Sequence, residues 1–549
     1  MSSAPTTEPR GGAWIVLGAL PLAFLVLTLI FRYHALPFWL WFNVDPSYFY
    51  LLNGLTILNG ETPADVFHPG TPVQSLVALV IGLSHPFTAG AGINALVLAD
   101  PERYLKIAST VIVWLDGAAL YLLGLAAFAA FGSLLPALVA QTAPFATLFL
   151  IKHAYQVKPE PLLLLAATLM AALMLAAARQ GIAAKPKRYT LGFAACAGLG
   201  IAAKLHFLPI ALAPLFLLAR PRWVALYGVA VVGFFLIFVA PALANWSVSV
   251  AYFAKMAVGS GAYGSGEASF VAWSKYPANL AKVFAGKPVF DVVLLLALGA
   301  LVWQMRRVRR GIDRWTPAWA ALAGLTLAQI AQALLVAKYP IAYYMIPAVA
   351  LTGAQAALVL VLGERLSGWW PHWRQTWIVL LVAVAGLRIL SFIQDLSERA
   401  DWKRNARAID MQSYAACAKV YFDFASNPSY ALFMGDMMAG WRWGSALKAQ
   451  AKSADEYFMN FFTGHLKRWD ERVELADVVA RYPCVVFRGV WQREMRNEIG
   501  KLAGNRQPDA ACGRPEQEYL LVLNGSCVNP ASGGAATATG RGFGGPNPR

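Results

Sequence analysis

The sequence predicts an all-α polytopic membrane protein of about eleven transmembrane helices, followed by a C-terminal domain of mixed α/β character. Three observations carry that expectation. The 549 residues are 58% hydrophobic and 14% charged, too apolar and too poor in charge for an ordinary water-soluble chain. Apolar runs suited to a bilayer recur from Ala13 to about residue 391, and mean hydropathy is +0.51. Lys and Arg collect in short connectors between those runs, as they do in cytoplasmic loops. The formal charge of +17 therefore reads as topogenic, and no nucleic-acid partner is expected.

Residues 1–12 read as a disordered cytoplasmic N-terminus. The run from Ala13 to Phe31 is too long for a signal-peptide core, and Arg32-Tyr33-His34 offers no small-x-small cleavage site. Further spans are expected at 104–131, 133–151, 161–178, 189–203, 206–219, 223–243, 289–305, 316–337, 341–362 and 376–391. With the N-terminus inside, three basic connectors also fall inside: Arg179–Arg188, Arg220-Pro221-Arg222 and Arg306–Arg314. So does the loop bearing Glu364, Arg365 and Arg374. The segment 72–88 opens with Thr71-Pro72 and is broken by Gln74, Ser75 and His85. Counted as a span it would invert every later loop, so it reads as an interfacial or re-entrant helix on the outer side. The outward regions are then 32–103, 152–160, 244–288 and everything after about Asp395.

Residues 395–529 form the expected outer domain, behind a transmembrane domain of residues 13–391. Tyr430–Met434, Pro483–Phe487 and Tyr519–Leu523 look like buried strands. Cys417, Cys484, Cys512 and Cys527 all lie there, while Cys196 is in a span. Four cysteines allow three pairings, and an oxidising compartment favours one or two disulfides over free thiols. The Gly- and Ala-rich tail 530–549 reads as disordered.

Ionisable residues at or within spans are costly and become functional candidates. The outer loops concentrate them. The first holds Asn43-Val-Asp45-Pro46, Glu61, Asp65 and His68-Pro69-Gly70-Thr71-Pro72; the second runs Lys152-His153-Ala-Tyr155-Gln156-Val-Lys158-Pro159-Glu160. Lys204-Leu-His206 and Lys338-Tyr339-Pro340, with Tyr343 and Tyr344, complete the set. The Gly-rich stretch Gly259–Gly266, with Tyr263 and the following Glu267, is either a lid over a cavity or a plain linker.

An acidic residue soon after the first helix, then a His-Pro turn, resembles the GT-C superfamily of polyprenyl-phosphate-dependent glycosyltransferases. The branch it resembles contains protein O-mannosyltransferases, lipid A aminoarabinose transferases and rhizobial core glycosyltransferases. Lys158-Pro-Glu160, Gly198–Phe207 and Lys338–Pro347 match in order and spacing, so the likeness covers about residues 13–391. Pro69-Gly70-Thr71-Pro72 departs from it, since many members carry two adjacent prolines there. The C-terminal domain carries no such resemblance.

The resemblance implies a GT-C-like bundle with juxtamembrane helices at its outer face. It implies transfer of a sugar from a polyprenyl-phosphate donor to a glycan, lipid or protein hydroxyl. A lipid phosphate leaves as a stable anion, so the chemistry needs a base for the acceptor hydroxyl and cations or donors for the phosphate. Asp45 would be the base, with inversion, although Asp45-Pro46-Ser47 also suits a helix start. Glu160 would be a second catalytic carboxylate, either sharing a divalent cation such as Mg or Mn with Asp45 or orienting acceptor. It equally suits a first-turn Glu favoured by the helix dipole. His68, Lys204, His206, Lys338, Tyr339 and Tyr344 would bind donor phosphate, against the simpler readings of a braced turn, snorkelling lysines and an aromatic belt. Tyr263 and Glu267 would belong to an acceptor-side lid. The expected setting is a bacterial inner membrane with the C-terminal domain in the periplasm. A lipid or polysaccharide transporter without catalysis is the alternative. Co-location of Asp45, Glu160, Lys204 and Lys338 favours the enzyme.

Overall fold

A computed structural model describes residues 12–67, 70–88, 90–260, 264, 268–366, 372–451, 453–460, 464–513 and 518–528, apart from the side chains of Val44, Asp45, Pro46, Arg365 and Leu366. The predicted N-terminal segment 1–12, beyond Gly12, and the tail 530–549 lie outside the described residues.

Helices α1 (Ala13–Ala35), α2 (Val44–Leu58), α3 (Thr71–Ser84), α4 (Gly90–Ala99) and α5 (Pro101–Phe131) open the chain. Three short helices follow, α6 (Leu134–Ala140), α7 (Ala143–Ala146) and α8 (Phe149–Ala154), then α9 (Pro159–Ala178), α10 (Pro186–Ala203) and a 3-10 helix, Leu205–Phe216. Next come α11 (Pro221–Val239), α12 (Trp246–Val258), α13 (Tyr276–Phe284), α14 (Pro288–Arg309) and α15 (Pro317–Ala337). The bundle closes with α16 (Ile346–Ala350), α17 (Thr352–Leu366) and α18 (Trp373–Ala408). Six of the long helices start on proline, at 101, 159, 186, 221, 288 and 317. Proline's fixed φ suits the first helical position, where its missing N–H has no intrahelical partner to lose.

Among the described residues, eight helices are long and apolar enough to cross a membrane: Ala13–Ala35, Pro101–Phe131, Pro159–Ala178, Pro221–Val258, Pro288–Arg309, Pro317–Ala337, Ala342–Glu364 and Trp373–Tyr414. The other three predicted segments are not among these eight and take other forms. Segment 133–151 is the run α6–α8 and 189–203 is α10, while 206–219 is the 3-10 helix, where Pro209 and Pro214 deny an α-helix its N–H donors. Segment 72–88 is the helix α3, too short to span and packed on α2, α5 and α10.

Large apolar side chains such as Ile15, Leu22, Val229, Leu295, Val382 and Leu390 face outward on α1, α11, α14 and α18. Helix α9, helix α15 and the stretch 342–364 are mostly buried at the centre. Helix pairs there approach closely because small residues permit it. A side chain at Gly324 of α15 would stand 1.9 Å from the Ala213 carbonyl, so only glycine fits.

The bundle has two distinct ends. At one, Arg179 donates to the Ala129 carbonyl (3.2 Å) and Gly181 meets Pro317, near the basic connectors 179–188 and 306–314. At the other lie the first loop, the 155–160 turn, Lys204 and residues 338–344. Helix α18 leaves the bundle there without a break, so the expected domain boundary near 391–395 falls inside one helix.

The C-terminal unit is α/β. Its strands are β1 (Ala418–Phe422), β2 (Glu456–Met459), β3 (Lys467–Arg468), β4 (Glu471–Arg472), β5 (Val485–Gly489), β6 (Ala510–Gly513) and β7 (Tyr519–Leu523). They form one sheet in the order β4-β3-β2-β1-β5-β7-β6, with β1 parallel to β2 and β5. Helices α19 (Pro428–Met438), α20 (Gly444–Gln450), α21 (Leu475–Arg481) and α22 (Gln492–Leu502) connect them. The strand expected at Tyr430–Met434 is a correction: the run is part of α19. Asn427 starts that helix, its Oδ1 accepting the Tyr430 N–H at 2.8 Å, with Pro428 at the first position. Disulfides join Cys417 to Cys484 and Cys512 to Cys527, which selects one of the three pairings.

Candidate active site

The first loop is held from beneath by Glu102, in the first turn of α5. Its carboxylate accepts the N–H groups of Phe38 (3.0 Å) and Trp39 (3.2 Å) and the Tyr48 hydroxyl (2.9 Å). Asn43 fixes the next corner. Its amide donates to the Ala35 carbonyl (2.6 Å) and the Pro37 carbonyl (3.2 Å), and its Oδ1 accepts the Tyr155 hydroxyl (2.6 Å). Helix α2 starts at Val44, so Asp45 stands in its first turn rather than ahead of it. The side chain of Asp45, like His68, Tyr263 and Glu267, lies outside the described residues.

The far side of this loop is also pinned. Asn53 Oδ1 accepts the N–H groups of Ala64 (2.9 Å) and Asp65 (3.2 Å), and Gln74 donates to the Asp65 carbonyl (2.7 Å). Ser249 donates to the Val66 carbonyl (2.7 Å), Asn245 to that of Pro63 (2.8 Å), and the Phe67 ring meets Tyr252. Gly70 ends the turn at φ 65°, where a Cβ would lie 2.8 Å from Tyr50 Cε1. A side chain is therefore excluded twice there, by backbone conformation and by the Tyr50 ring.

The second loop meets this one through Tyr155. Four residues on, Pro159 starts α9 and places Glu160 in its first turn. Lys204 sits at the break between α10 and the 3-10 helix, in extended conformation. Its Nζ donates to Glu160 Oε1 at 2.8 Å, and the two side chains are 7% and 3% exposed. The same ammonium lies 4.6 Å from the Tyr344 ring centroid and 5.3 Å from that of Tyr343, which Lys158 approaches at 5.3 Å. His206 stacks on Tyr344 with centroids 4.0 Å apart, and His153 packs on Tyr343 at 5.7 Å. The charges of Lys158, Glu160 and Arg399 all act on His153, so these groups share one neighbourhood.

Lys338 belongs to the same end but aims elsewhere. Its Nζ donates to the carbonyls of Met256 (2.7 Å) and Ala257 (3.0 Å), at the C-terminal turn of α12, and lies over Phe270. Tyr339, next to it, returns to the cluster against Tyr344 at 6.5 Å. Glu160, Lys204, His206, Tyr339 and Tyr344 therefore converge, and Lys338 ties the outer segment 246–258 to them.

Sequence reasoning missed two residues. Arg399 of α18 packs its guanidinium on Trp402 (4.6 Å) and Phe42 (4.7 Å), next to the Asn43 corner. Its Nη1 is buried without a hydrogen-bond partner, and Lys152 pairs with Asp395 (2.5 Å) one turn earlier. Nothing in the local pattern around residue 399 marks it. Glu102 did carry a signal, because Pro101-Glu102 repeats the Pro159-Glu160 helix start.

Of the two carboxylates expected to share a divalent cation, Asp45 has its side chain outside the described residues. Glu160 is already engaged by Lys204 and lies beside Lys158, two ammonium groups that compete with a metal for its oxygens. Among the described residues no group of three or more His, Cys, Asp or Glu is placed to hold a metal ion.

No protein-family model matches the chain, and no curated protein sequence matches it. Among solved structures it is similar to the crystal structure of ArnT from Cupriavidus metallidurans bound to undecaprenyl phosphate, at 14% identity and a TM-score of 0.44, covering 93% of this chain and 98% of that one. At that identity and TM-score the overlay carries no residue-level correspondence.

Proposed function

We propose that the chain is a GT-C-type glycosyltransferase that moves a sugar from a polyprenyl-phosphate donor to an acceptor hydroxyl. The observation that carries this reading is the cationic surplus at one end of a membrane bundle. Lys204, Lys158, Lys152 and Arg399 gather there with Tyr343, Tyr344 and His206, while Glu160 and Asp395 are the carboxylates paired within the group. Such a surplus suits a phosphate whose lipid tail lies between apolar helices.

In this reading Asp45 takes the proton of the acceptor hydroxyl. The oxygen attacks the anomeric carbon from the face opposite the phosphate, so configuration inverts. The carbon–oxygen bond to phosphate breaks, and polyprenyl phosphate leaves with the electron pair. Lys204, His206 and Tyr344 hold the departing phosphate, joined by Lys158 and Arg399. Glu160 holds Lys204 in place through its 2.8 Å hydrogen bond. Tyr339 and His68 belong to the donor region and Tyr263 and Glu267 to the lid, while Lys338 anchors the segment 246–258 beside them. No step runs through a metal.

The site then faces the outer side of a bacterial inner membrane. Two disulfides in the C-terminal domain suit an oxidising compartment, and the opposite end of the bundle carries the basic connectors. Labelled polyprenyl-phosphate sugars, offered with lipid-linked, glycan and protein acceptors, test the reading. Wild type is expected to transfer and Asp45→Asn to lose at least about a hundredfold in rate. Equal transfer by the variant removes Asp45 as the base.

One observation favours a second reading, a lipid or polysaccharide transporter. Asp116, midway along α5, is buried with neither carboxylate oxygen hydrogen-bonded. Ionisable groups at that depth line transport paths. Translocation of labelled lipid in proteoliposomes without cleavage of its sugar would decide for it.

A further inference from the structure

The C-terminal domain leaves a set of polar atoms unbonded beside the first loop. Asp436, near the end of α19, is 1% exposed. Its Oδ1 accepts the Trp443 N–H at 2.6 Å. Its Oδ2 is buried without a hydrogen-bond partner, and so is the indole Nε1–H of Trp443. A buried donor or acceptor left unmade forfeits its full desolvation cost, so a neighbouring orphan of each kind asks for an explanation.

The surrounding backbone points the same way. Trp441 and Trp469 adopt φ of 61° and 58°, a region bulky residues rarely enter and one that clusters at ligand clamps. Lys467 links the two turns, with Nζ 3.4 Å from the Trp441 ring centroid. Over the carboxylate lies Gly444, where a Cβ would come within 3.2 Å of Asp436 Oδ2 and 3.1 Å of Asp470 Cβ. The turn abuts the first loop, since Arg442 pairs with Glu61 (2.6 Å) and Asn53 donates to the Met438 carbonyl (3.1 Å).

We propose that the turn Met438–Ser445 and the hairpin Lys467–Asp470 form a sugar-binding subsite that presents a hydroxyl-rich acceptor to the first loop. This deepens the transferase reading, on which the word acceptor rests. Adjacent hydroxyls of a sugar donate to a carboxylate oxygen and accept from an indole N–H, while its C–H face packs on a Trp ring. Lys467 and Lys448 already stand opposite Asp436 and Asp470, so the ligand proposed is an uncharged glycan that engages the two orphan groups through its hydroxyls. Gly444, the first residue of α20, lies over the Asp436 carboxylate, so in this proposal the start of α20 moves aside when the sugar binds.

Saturation-transfer NMR on the full-length protein in detergent, without donor, tests this with the methyl glycosides of glucose, galactose, mannose and N-acetylglucosamine. At least one is expected to bind. Its affinity is expected to fall about fivefold or more in Trp441→Ala and Trp443→Phe, and to stay unchanged in Lys501→Ala on the exposed side of α22. Trp443→Phe keeps an aromatic side chain but removes the indole N–H together with its five-membered ring, so a melting temperature equal to that of wild type is the control that separates its loss of binding from misfolding. Binding that survives both tryptophan variants, or no glycoside bound by wild type, overturns the subsite. A chain that binds glycosides but transfers no sugar refutes the transferase and leaves the subsite standing.

Discussion

Removing either partner of the Glu160–Lys204 pair should cost more than removing both. The charges are 2.8 Å apart, the two side chains are at most 7% exposed, and the ammonium is boxed in by Tyr343 and Tyr344. Deleting one leaves an uncompensated buried charge, worth about 3–5 kcal/mol of stability. Glu160→Gln leaves Lys204 charged against two rings and beside Lys158. Lys204→Met leaves the carboxylate beside Lys158 and His153 without its hydrogen-bonded ammonium. The double variant Glu160→Gln/Lys204→Met fills the same volume without net charge, so a coupling energy of roughly 2–3 kcal/mol should return. A thiol-reactive dye reports unfolding in detergent, because Cys196 is the free cysteine among the described residues and it is buried. Each single variant should lower the melting temperature by on the order of 5 °C or more, and the double variant should recover part of that. Additive losses would mean that the pair is not coupled, and the picture of Glu160 holding Lys204 in place would fall with it. If the proposed transferase reading holds, transfer adds a second readout, because a double variant that regains stability should still lack the Lys204 cation proposed to hold the phosphate.

Gly70→Ala should destabilise by about 2–3 kcal/mol, combining a left-handed backbone with a Cβ 2.8 Å from Tyr50. Adding Tyr50→Leu should restore the steric share alone, and full tolerance of Gly70→Ala would contradict the turn geometry. Asp436 is held at about 6, chiefly by burial, with Asp470 adding to the rise and the Trp443 N–H and Lys467 opposing it. A free carboxylate titrates near 4, so the folded domain binds this proton more tightly than the unfolded chain does. Stability should therefore fall as pH rises from about 4 to about 6, and Asp436→Asn should flatten that slope in melting curves. An identical slope in the variant would refute it. Reduction of the disulfides should loosen the C-terminal domain unequally. The Cys417–Cys484 link closes 67 residues and Cys512–Cys527 closes 15, which chain entropy converts to about 4 and about 3 kcal/mol. Single Cys→Ala variants, compared by melting temperature, check that order.

The membrane bundle was legible because hydrocarbon thickness imposes a length on each span and topology sorts the basic connectors. The forms that some spans take were not. Pro209 and Pro214 turn one predicted segment into a 3-10 helix, and the apolar count alone does not separate it from an α-helix. Helix α18 continues past its apolar half because Gln394–Arg407 is helix-forming though polar, so hydropathy ended where structure did not. The run Tyr430–Met434 looked like a strand because five apolar residues have no readable period; its helix start at Asn427-Pro428 was the better clue. Within the site, Glu160, Lys204, His206 and Tyr344 stood out as polar breaks in apolar sequence, and they meet. Arg399 did not, since it lies in an ordinary charged stretch and gains meaning only by packing on Phe42.

What assembles the site is a set of bonds between residues far apart in sequence and unremarkable by type. Tyr155 reaches Asn43 across 112 residues, Ser249 reaches Val66 across 183, and Asn53 reaches Met438 across 385. Each joins a loop of the bundle to another loop or to the C-terminal domain, and most end on backbone carbonyls, which any sequence supplies. The Trp41 N–H donates to Ser426 (3.0 Å), and Ser426 donates its own N–H to Glu518 (2.5 Å), whose carboxylate is buried against Arg488. Arg488 in turn donates to the Ala406 carbonyl (2.8 Å) at the end of α18. The first loop, the sheet and the last bundle helix thus form one hydrogen-bonded circuit. A polar domain that only decorated the membrane part would not need a buried ion pair at the junction, where desolvation makes it costly. Its presence there argues that the domain fixes the geometry of the first loop, and hence where Asp45 stands.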